Sequence, residues 1–162
     1  MICFDREDKR FYFRSAAIIL KDNKLLLNKL EQEELWYLPG GRNEFFEFST
    51  NTLEREMKEE LNELVEVERL LWVSEAFFRH EDMRYHKLTF YYKANIINDS
   101  SYVFDNDEFF TIEEDNKIIF KWFDIDDLKN ENVYPPFLKN RMHDLPVAIE
   151  HIMHDDSQLE LK

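Results

Sequence analysis

Trp36-Tyr37-Leu38-Pro39-Gly40-Gly41-Arg42-Asn43-Glu44-Phe45-Phe46-Glu47 runs, after a short spacer, into Leu53-Glu54-Arg55-Glu56-Met57-Lys58-Glu59-Glu60-Leu61-Asn62. The chain of 162 residues holds only two glycines, and both stand in this stretch, side by side. Glycine permits positive φ and close backbone approach, so Gly40-Gly41 marks a tight turn ahead of a carboxylate-rich segment. Ser49, Thr50 and Asn51 are all suitable N-caps, and the apolar residues that follow recur at helical spacing. The pattern predicts a helix from about Thr50 to Leu61. At about 100° per residue, Glu56, Glu59, Glu60 and Glu63 share one face. Leu53, Met57, Leu61 and Leu64 form a neighbouring face that would dock on a core.

Like charges at these spacings repel by about 0.2–0.5 kcal/mol per pair on an exposed helix. Only Arg55 and Lys58 stand nearby to compensate. A divalent cation would turn that repulsion into coordination, and hard oxygen ligands suit Mg²⁺ or Mn²⁺. An acidic helix face taken alone is ordinarily a solvated face. Here it follows a glycine turn at fixed separation. Gly41, Glu47 and then Arg55, Glu56, Met57, Glu59 and Glu60 stand in the register of the Nudix hydrolase signature, which the stretch from about 41 to 62 resembles. Three positions depart from that pattern. Asn62 replaces a glycine, and Asn is the next-best residue for a left-handed helix end. Glu63 occupies an apolar slot that Leu64 is expected to fill instead. Phe46 replaces a common glycine and is expected to narrow the loop over the metal site.

Outward from this stretch, Phe11 to Leu20 is strand-like, and Lys21-Asp22-Asn23-Lys24 turns into Leu25-Leu26-Leu27. Val65 to Phe78 and Tyr85 to Ile97 read as two further strands. The acidic segment from Asn98 to Asn116 reads as a long loop, and Lys117 to Phe123 as a last strand. Asp124 to Leu128 resembles a helix start. A C-terminal helix is expected from about Asn140 to His154, with Pro146 as its start or kink. His151 and His154 would then be spaced like a metal pair beside Asp155, without a third ligand. His80 and His86 flank an expected turn and read as structural. Strands, a central helix, more strands and a closing helix give an α+β class or an α/β/α sandwich.

Composition limits the function classes. With Asp+Glu 35 against Lys+Arg 21, the formal net charge is −14. Such a field disfavours nucleic-acid binding, which rests on basic patches, and means that a phosphate-rich ligand must arrive with a metal. No apolar run approaches the roughly 18 residues that span a bilayer, and the opening Met1 to Arg10 has no secretory pattern. The single cysteine, Cys3, fits a reducing, cytoplasmic setting.

The Nudix resemblance extends to Trp122–Leu128 and Tyr134–Leu138. It implies one domain over residues 1–162, folded as a Nudix-type α/β/α sandwich with a mixed sheet between helices. It further implies a pyrophosphohydrolase acting on a nucleotide. Glu56, Glu59, Glu60 and the Gly40 carbonyl would bind Mg²⁺ or Mn²⁺, with Glu47 and Arg55 paired to hold the loop on the helix. The general base would be one of these carboxylates or a later one, Glu113 or Glu114 first, then Asp105, Asp107 or Glu108. Arg14, Arg42, Arg79 and Arg84 are candidates to meet phosphate, and Trp36, Tyr37, Phe13 and Tyr91 to stack a base. An X-linked diphosphate such as ADP-ribose is favoured over a nucleoside triphosphate. The rival reading is a Nudix fold that senses a nucleotide without cleaving it. Many relatives pair, so a homodimer is an open expectation.

Overall fold

The computed structural model describes residues 1–98 and 100–160; Asp99, within the expected loop, and 161–162, at the end of the expected domain, lie outside the described residues. In chain order the elements are β1 (Cys3–Arg6), β2 (Lys9–Ile18), β3 (Leu20–Lys21), β4 (Lys24–Leu30), β5 (Trp36–Tyr37) and β6 (Gly40–Arg42). Helix α1 (Ser49–Glu56) follows, continued by a π-helical turn (Met57–Leu61), then β7 (Val65–His80), β8 (Met83–Ile96) and α2 (Ser101–Phe104). The chain closes with β9 (Glu108–Glu113), β10 (Asn116–Asp124), a 3₁₀ turn (Ile125–Asn130), β11 (Val133–Tyr134), α3 (Leu138–Arg141) and β12 (Glu150–Glu160).

The result is the expected α+β sandwich of Nudix type, with its strands divided between two mixed sheets. One sheet is ordered β1-β2-β8-β7-β12, with β6 paired to β2; the other is ordered β11-β5-β4-β10-β9, with β3 paired to β4. Side-chain alternation along the strands divides the interior into two clusters. Ile18, Leu25, Leu27, Trp72 and Phe123 fill one. Ala17, Leu26, Phe120 and Trp122 fill the other, where the helix inserts Leu53, Met57 and Leu61. Leu25-Leu26-Leu27 is therefore buried on both faces, as an unbroken apolar run in a strand requires. Asp22 and Asn23 take positive φ at the hairpin between β3 and β4, as its two tight-turn residues must.

Several expectations are corrected. Residues 98–116 are not one loop. Phe109 stacks on Phe120 at 5.4 Å, and β9 pairs along β10 from Glu113↔Asn116 to Glu108↔Lys121. Acidic composition masked a two-residue alternation, with Phe109 buried and Phe110 and Ile112 exposed, which is the pattern of an edge strand. The C-terminal helix is also absent. α3 is a single turn, and β12 lies parallel to β7, from Glu150↔Trp72 onward. Ile152, His154 and Asp156 alternate inward with exposed His151, Met153 and Asp155, so the period is two. β7 presented an edge whose backbone groups needed partners, and that demand overrode the helical reading. His151 and His154 consequently do not share a face: His151 meets Glu75 at 2.8 Å and His154 meets Asp156. Finally, Leu64 is exposed, and Val65 takes the core contact expected of it.

Candidate active site

The site is built where β6 delivers the glycine turn to the helix. Ala16 of β2 pairs with Gly40 and Arg14 with Arg42, antiparallel. At Gly40 φ is +137°, and a Cβ there would lie 2.2 Å from the Ser15 carbonyl oxygen. Only glycine fits that approach. At Gly41 an added Cβ would fall 2.0 Å from the Glu56 carboxyl carbon. The missing side chain is the space that the Glu56 carboxylate occupies.

The helix opens without a side-chain cap at Phe48. The Ser49 hydroxyl shares a 2.5 Å hydrogen bond with Tyr92 instead. Glu47 does the work of organising the first turn: its carboxylate accepts from Thr52 Oγ1 at 2.8 Å and from the Glu44 amide at 3.2 Å. Arg55 joins this carboxylate in a fork, Nε to Oε1 at 3.0 Å and Nη2 to Oε2 at 3.1 Å. Its Nη1 reaches Glu56 at 2.6 Å and Glu59 at 3.1 Å, and Nη2 also reaches the Arg42 carbonyl at 3.2 Å. The Arg55 hydrogen bond holds Glu47 down at about 2, far below the usual carboxylate range. Phe46, expected to narrow the loop, sits at φ +62° with its ring in solvent, so it does not close over the site.

Beyond Glu56 the backbone widens into the π-helical turn that carries Glu59 and Glu60. Such turns are frequent at functional sites. The turn ends at Asn62, φ +56° and ψ +24°, the left-handed cap that its sequence position predicts. Glu63 therefore leaves the shared carboxylate face. Glu60 looks into the site, where Asn28 Nδ2 donates to it at 3.3 Å and the Gly40 backbone provides a further hydrogen bond. Burial pushes the Glu60 carboxyl up to about 8; Arg14 opposes this, while Glu56 and Glu113 add to it. Glu56 is also raised by burial, against the pull of Arg55. Glu113 is raised by burial and then by Glu56 and Glu59.

Glu60 and Glu113 line a cavity of about 1010 Å³ between the two sheets, together with Arg14, Arg42 and Lys87. Tyr12, Tyr37, Phe78, Tyr85 and Tyr134 supply its aromatic lining. Among the described residues no three His, Cys, Asp or Glu side chains converge as a ready metal cluster. The reason is visible: Arg55 draws Glu56 and Glu59 toward Glu47. The donor chemistry nevertheless fits a hard divalent cation. Carboxylates that raise one another's proton affinity at a glycine turn, despite Arg55 and Arg14, are stabilised by further positive charge, and oxygen ligands are what Mg²⁺ and Mn²⁺ take.

Arg14, Arg42, Tyr37 and Glu113 thus reach the cavity as the sequence suggests, and other candidates do not. Arg84 forks onto Asp8 at 2.7 and 3.0 Å, outside the cavity. Arg79 turns to the Glu81 carbonyl. Trp36 packs on Phe123 at 5.0 Å with Lys29 over its ring; it braces the core. Phe13 packs on Phe90, and Tyr91 is buried against Trp72 and Phe137. Glu114 sits at positive φ in the exposed β9–β10 turn. Asp107 pairs with Lys24 at 2.8 Å, Asp105 is exposed, and Glu108 lies opposite Lys121 on the exposed side of β9. Asn28 and Lys87 escaped the sequence reading. The one available signal was a polar residue at a position that strand alternation would bury, Asn28 after three leucines and Lys87 between Tyr85 and Thr89.

The two-sheet sandwich thus sets an acidic helix against a glycine turn, beside a cavity that Arg14, Arg42 and Lys87 line. A NUDIX domain model matches residues 11–143, and the chain belongs to the Nudix hydrolase family, whose members act on phosphoric anhydride bonds. A Nudix hydrolase from Nitrosomonas europaea superposes with a TM-score of 0.60 at 19% identity, over 90% of this chain and 79% of that one. An ADP-ribose pyrophosphatase from Streptococcus suis gives 0.57 at 18% identity, over 90% and 98%. A UDP-X diphosphatase gives 0.56 at 24% identity, over 82% of this chain; the chain spans 58% of that protein's length. Comparison with curated proteins finds no match. Among the described residues no helix is long and apolar enough to cross a membrane.

Proposed function

We propose that this protein is a metal-dependent pyrophosphohydrolase of a nucleotide or nucleoside diphosphate derivative, with an X-linked diphosphate such as ADP-ribose favoured over a nucleoside triphosphate. The observation that carries this reading is Glu60, a buried carboxylate that makes no ion pair among the described residues, in the lining of a cavity that Arg14 and Arg42 share. Two of the structural relatives, by their names, act on X-linked diphosphates. A cavity of about 1010 Å³ has room for a substrate with a group on each side of its diphosphate.

Glu56, Glu59, Glu60 and the Gly40 carbonyl would hold Mg²⁺ or Mn²⁺. When bound, the ion neutralises phosphate charge and lowers the pKa of a bound water. The chain's own groups do the rest. Glu47 fixes Arg55, and Arg55 sets where the Glu56 and Glu59 carboxylates stand. Asn28 orients Glu60. Arg14 and Arg42 meet phosphate oxygens from the same cavity lining, the pairing in which guanidinium is strongest. Glu113, raised by burial and by the helix carboxylates, is the strand-borne candidate to take a proton from the attacking water. Cytoplasmic residence and homodimer formation belong to the same proposal.

The test is phosphate or nucleotide release across nucleoside triphosphates and X-linked diphosphates, with Mg²⁺ or Mn²⁺ and with Glu60→Gln as control. Metal-dependent turnover of one class, lost in the variant, supports the proposal. Nucleotide binding with no turnover across the panel would transfer the reading to a sensor.

A further inference from the structure

Two polar groups of the same cavity, the Lys87 amine and the Tyr134 hydroxyl, carry no assigned step in the hydrolysis. Lys87, 7% exposed, extends from β8 with its Nζ 4.7 Å from the ring centre of Tyr134, 5.8 Å from that of Phe78 and 6.0 Å from that of Tyr12. Among the described residues its Nζ makes no ion pair and no hydrogen bond, and its contacts are these rings. Tyr134, 4% exposed, has its hydroxyl buried without a hydrogen-bond partner. Both residues line the cavity.

Register sets the Lys87 backbone away from the glycine turn. Gly40 is level with Ala16 on β2, and Lys87 is level with Tyr12. Four residues at roughly 3.3 Å each put Lys87 about 13 Å along the sheet from the glycine turn. A diphosphate held at the helix would leave a substituent at that depth. The walls there are aromatic, with Phe78 and Tyr85 stacked 2° from parallel at 4.7 Å. Such walls suit a flat ring. Burial and the neighbouring Arg14 push the Lys87 amine down to about 7, and its ammonium form, which only donates, is favoured by an acceptor placed beside it. A ring with acceptor atoms on the edge that faces Lys87 supplies that partner.

We propose that Lys87 and Tyr134 read the edge of the substrate's base and select oxo bases (guanine, uracil or thymine) over adenine. This rests on the hydrolase reading above and narrows its substrate class. Guanine offers O6 and N7 as adjacent acceptors and thymine offers O4, whereas adenine sets an amino donor beside N7. An amino group facing Lys87 would oppose donor to donor.

The test uses binding, not turnover: calorimetric titration of the full chain with UMP, GMP, AMP and ribose 5-phosphate. UMP or GMP is expected to bind at least about tenfold tighter than AMP. Lys87→Met should cost the oxo ligand about 10- to 100-fold and leave ribose 5-phosphate unchanged. Tyr134→Phe removes one hydroxyl only and should shift the same preference by a smaller factor; it decides the matter if Lys87→Met does not fold. AMP binding as tightly as UMP and GMP would overturn the inference. So would an equal loss of UMP and ribose 5-phosphate in Lys87→Met, which would make the lysine a phosphate contact. An oxo preference without hydrolysis of any substrate would defeat the hydrolase proposal and leave base selection standing.

Discussion

Arg55 ties three carboxylates and a carbonyl to the helix, so Arg55→Met tests whether this network holds the site together. The guanidinium makes two hydrogen bonds to Glu47 and one each to Glu56, Glu59 and the Arg42 carbonyl. The side chains of Arg55, Glu47 and Glu56 are 30%, 19% and 14% exposed, so the network is mostly enclosed. Removing one partner of a buried ion pair costs about 3–5 kcal/mol. Partial exposure and screening argue for the lower end, so the expected loss is about 3 kcal/mol. For a domain of this size that corresponds to a fall in Tm of roughly 6–12 °C. Urea and thermal unfolding of Arg55→Met, Glu47→Gln and the double variant measure it, and the cycle should show coupling of at least about 1 kcal/mol. Acid adds a second signature. Glu47 is held at about 2 against an ordinary 4.5. A lowered carboxylate contributes stability that is present above 4.5 and lost as pH falls through 2. Arg55→Met should erase that part of the acid slope. A loss under about 0.5 kcal/mol with additive single variants would refute the reasoning.

Other substitutions probe the turn and the buried acid. Glu60→Gln should abolish turnover in the presence of Mg²⁺ or Mn²⁺; in chelated protein it should be more stable than the parent at pH 8 by about 2–4 kcal/mol, and equal to it near pH 4.5. The sign follows from burial, which raises Glu60 to about 8: the proton-linked stability is present below 4.5 and lost as pH rises toward 8. Gly40→Ala should cost about 3 kcal/mol or more in urea unfolding, because its Cβ would meet backbone at 2.2 Å rather than a movable side chain. At the left-handed cap, Asn62→Val should lower stability by about 1–2 kcal/mol while Asn62→Gly should not, as read by Tm.

Local rules acted undisturbed in some segments. The Asp22-Asn23 hairpin, the helix expected from about Thr50 to Leu61 and found from Ser49, and the triple-leucine strand all follow from residue type and spacing within a few positions. Elsewhere distant partners intervened. Acidic residues 108–113 became a strand because Phe109 finds Phe120 and β10 has an edge to share. Residues 150–160 became a strand because β7 did. Neither partner is visible within a sequence window.

The sequence by itself determined which residues could carry the chemistry, since a glycine turn and carboxylates at helical spacing are local properties of the chain. Which of them meet was a tertiary decision. Sheet register brought Arg14 and Arg42 to the cavity and tied Arg84 to Asp8 outside it. It also put Lys87 in an aromatic enclosure whose rings come from β2, β7 and β11, strands far apart in the chain. A side chain's burial and the charges around it depend on what crosses over it in space, and adjacent sequence holds no record of that.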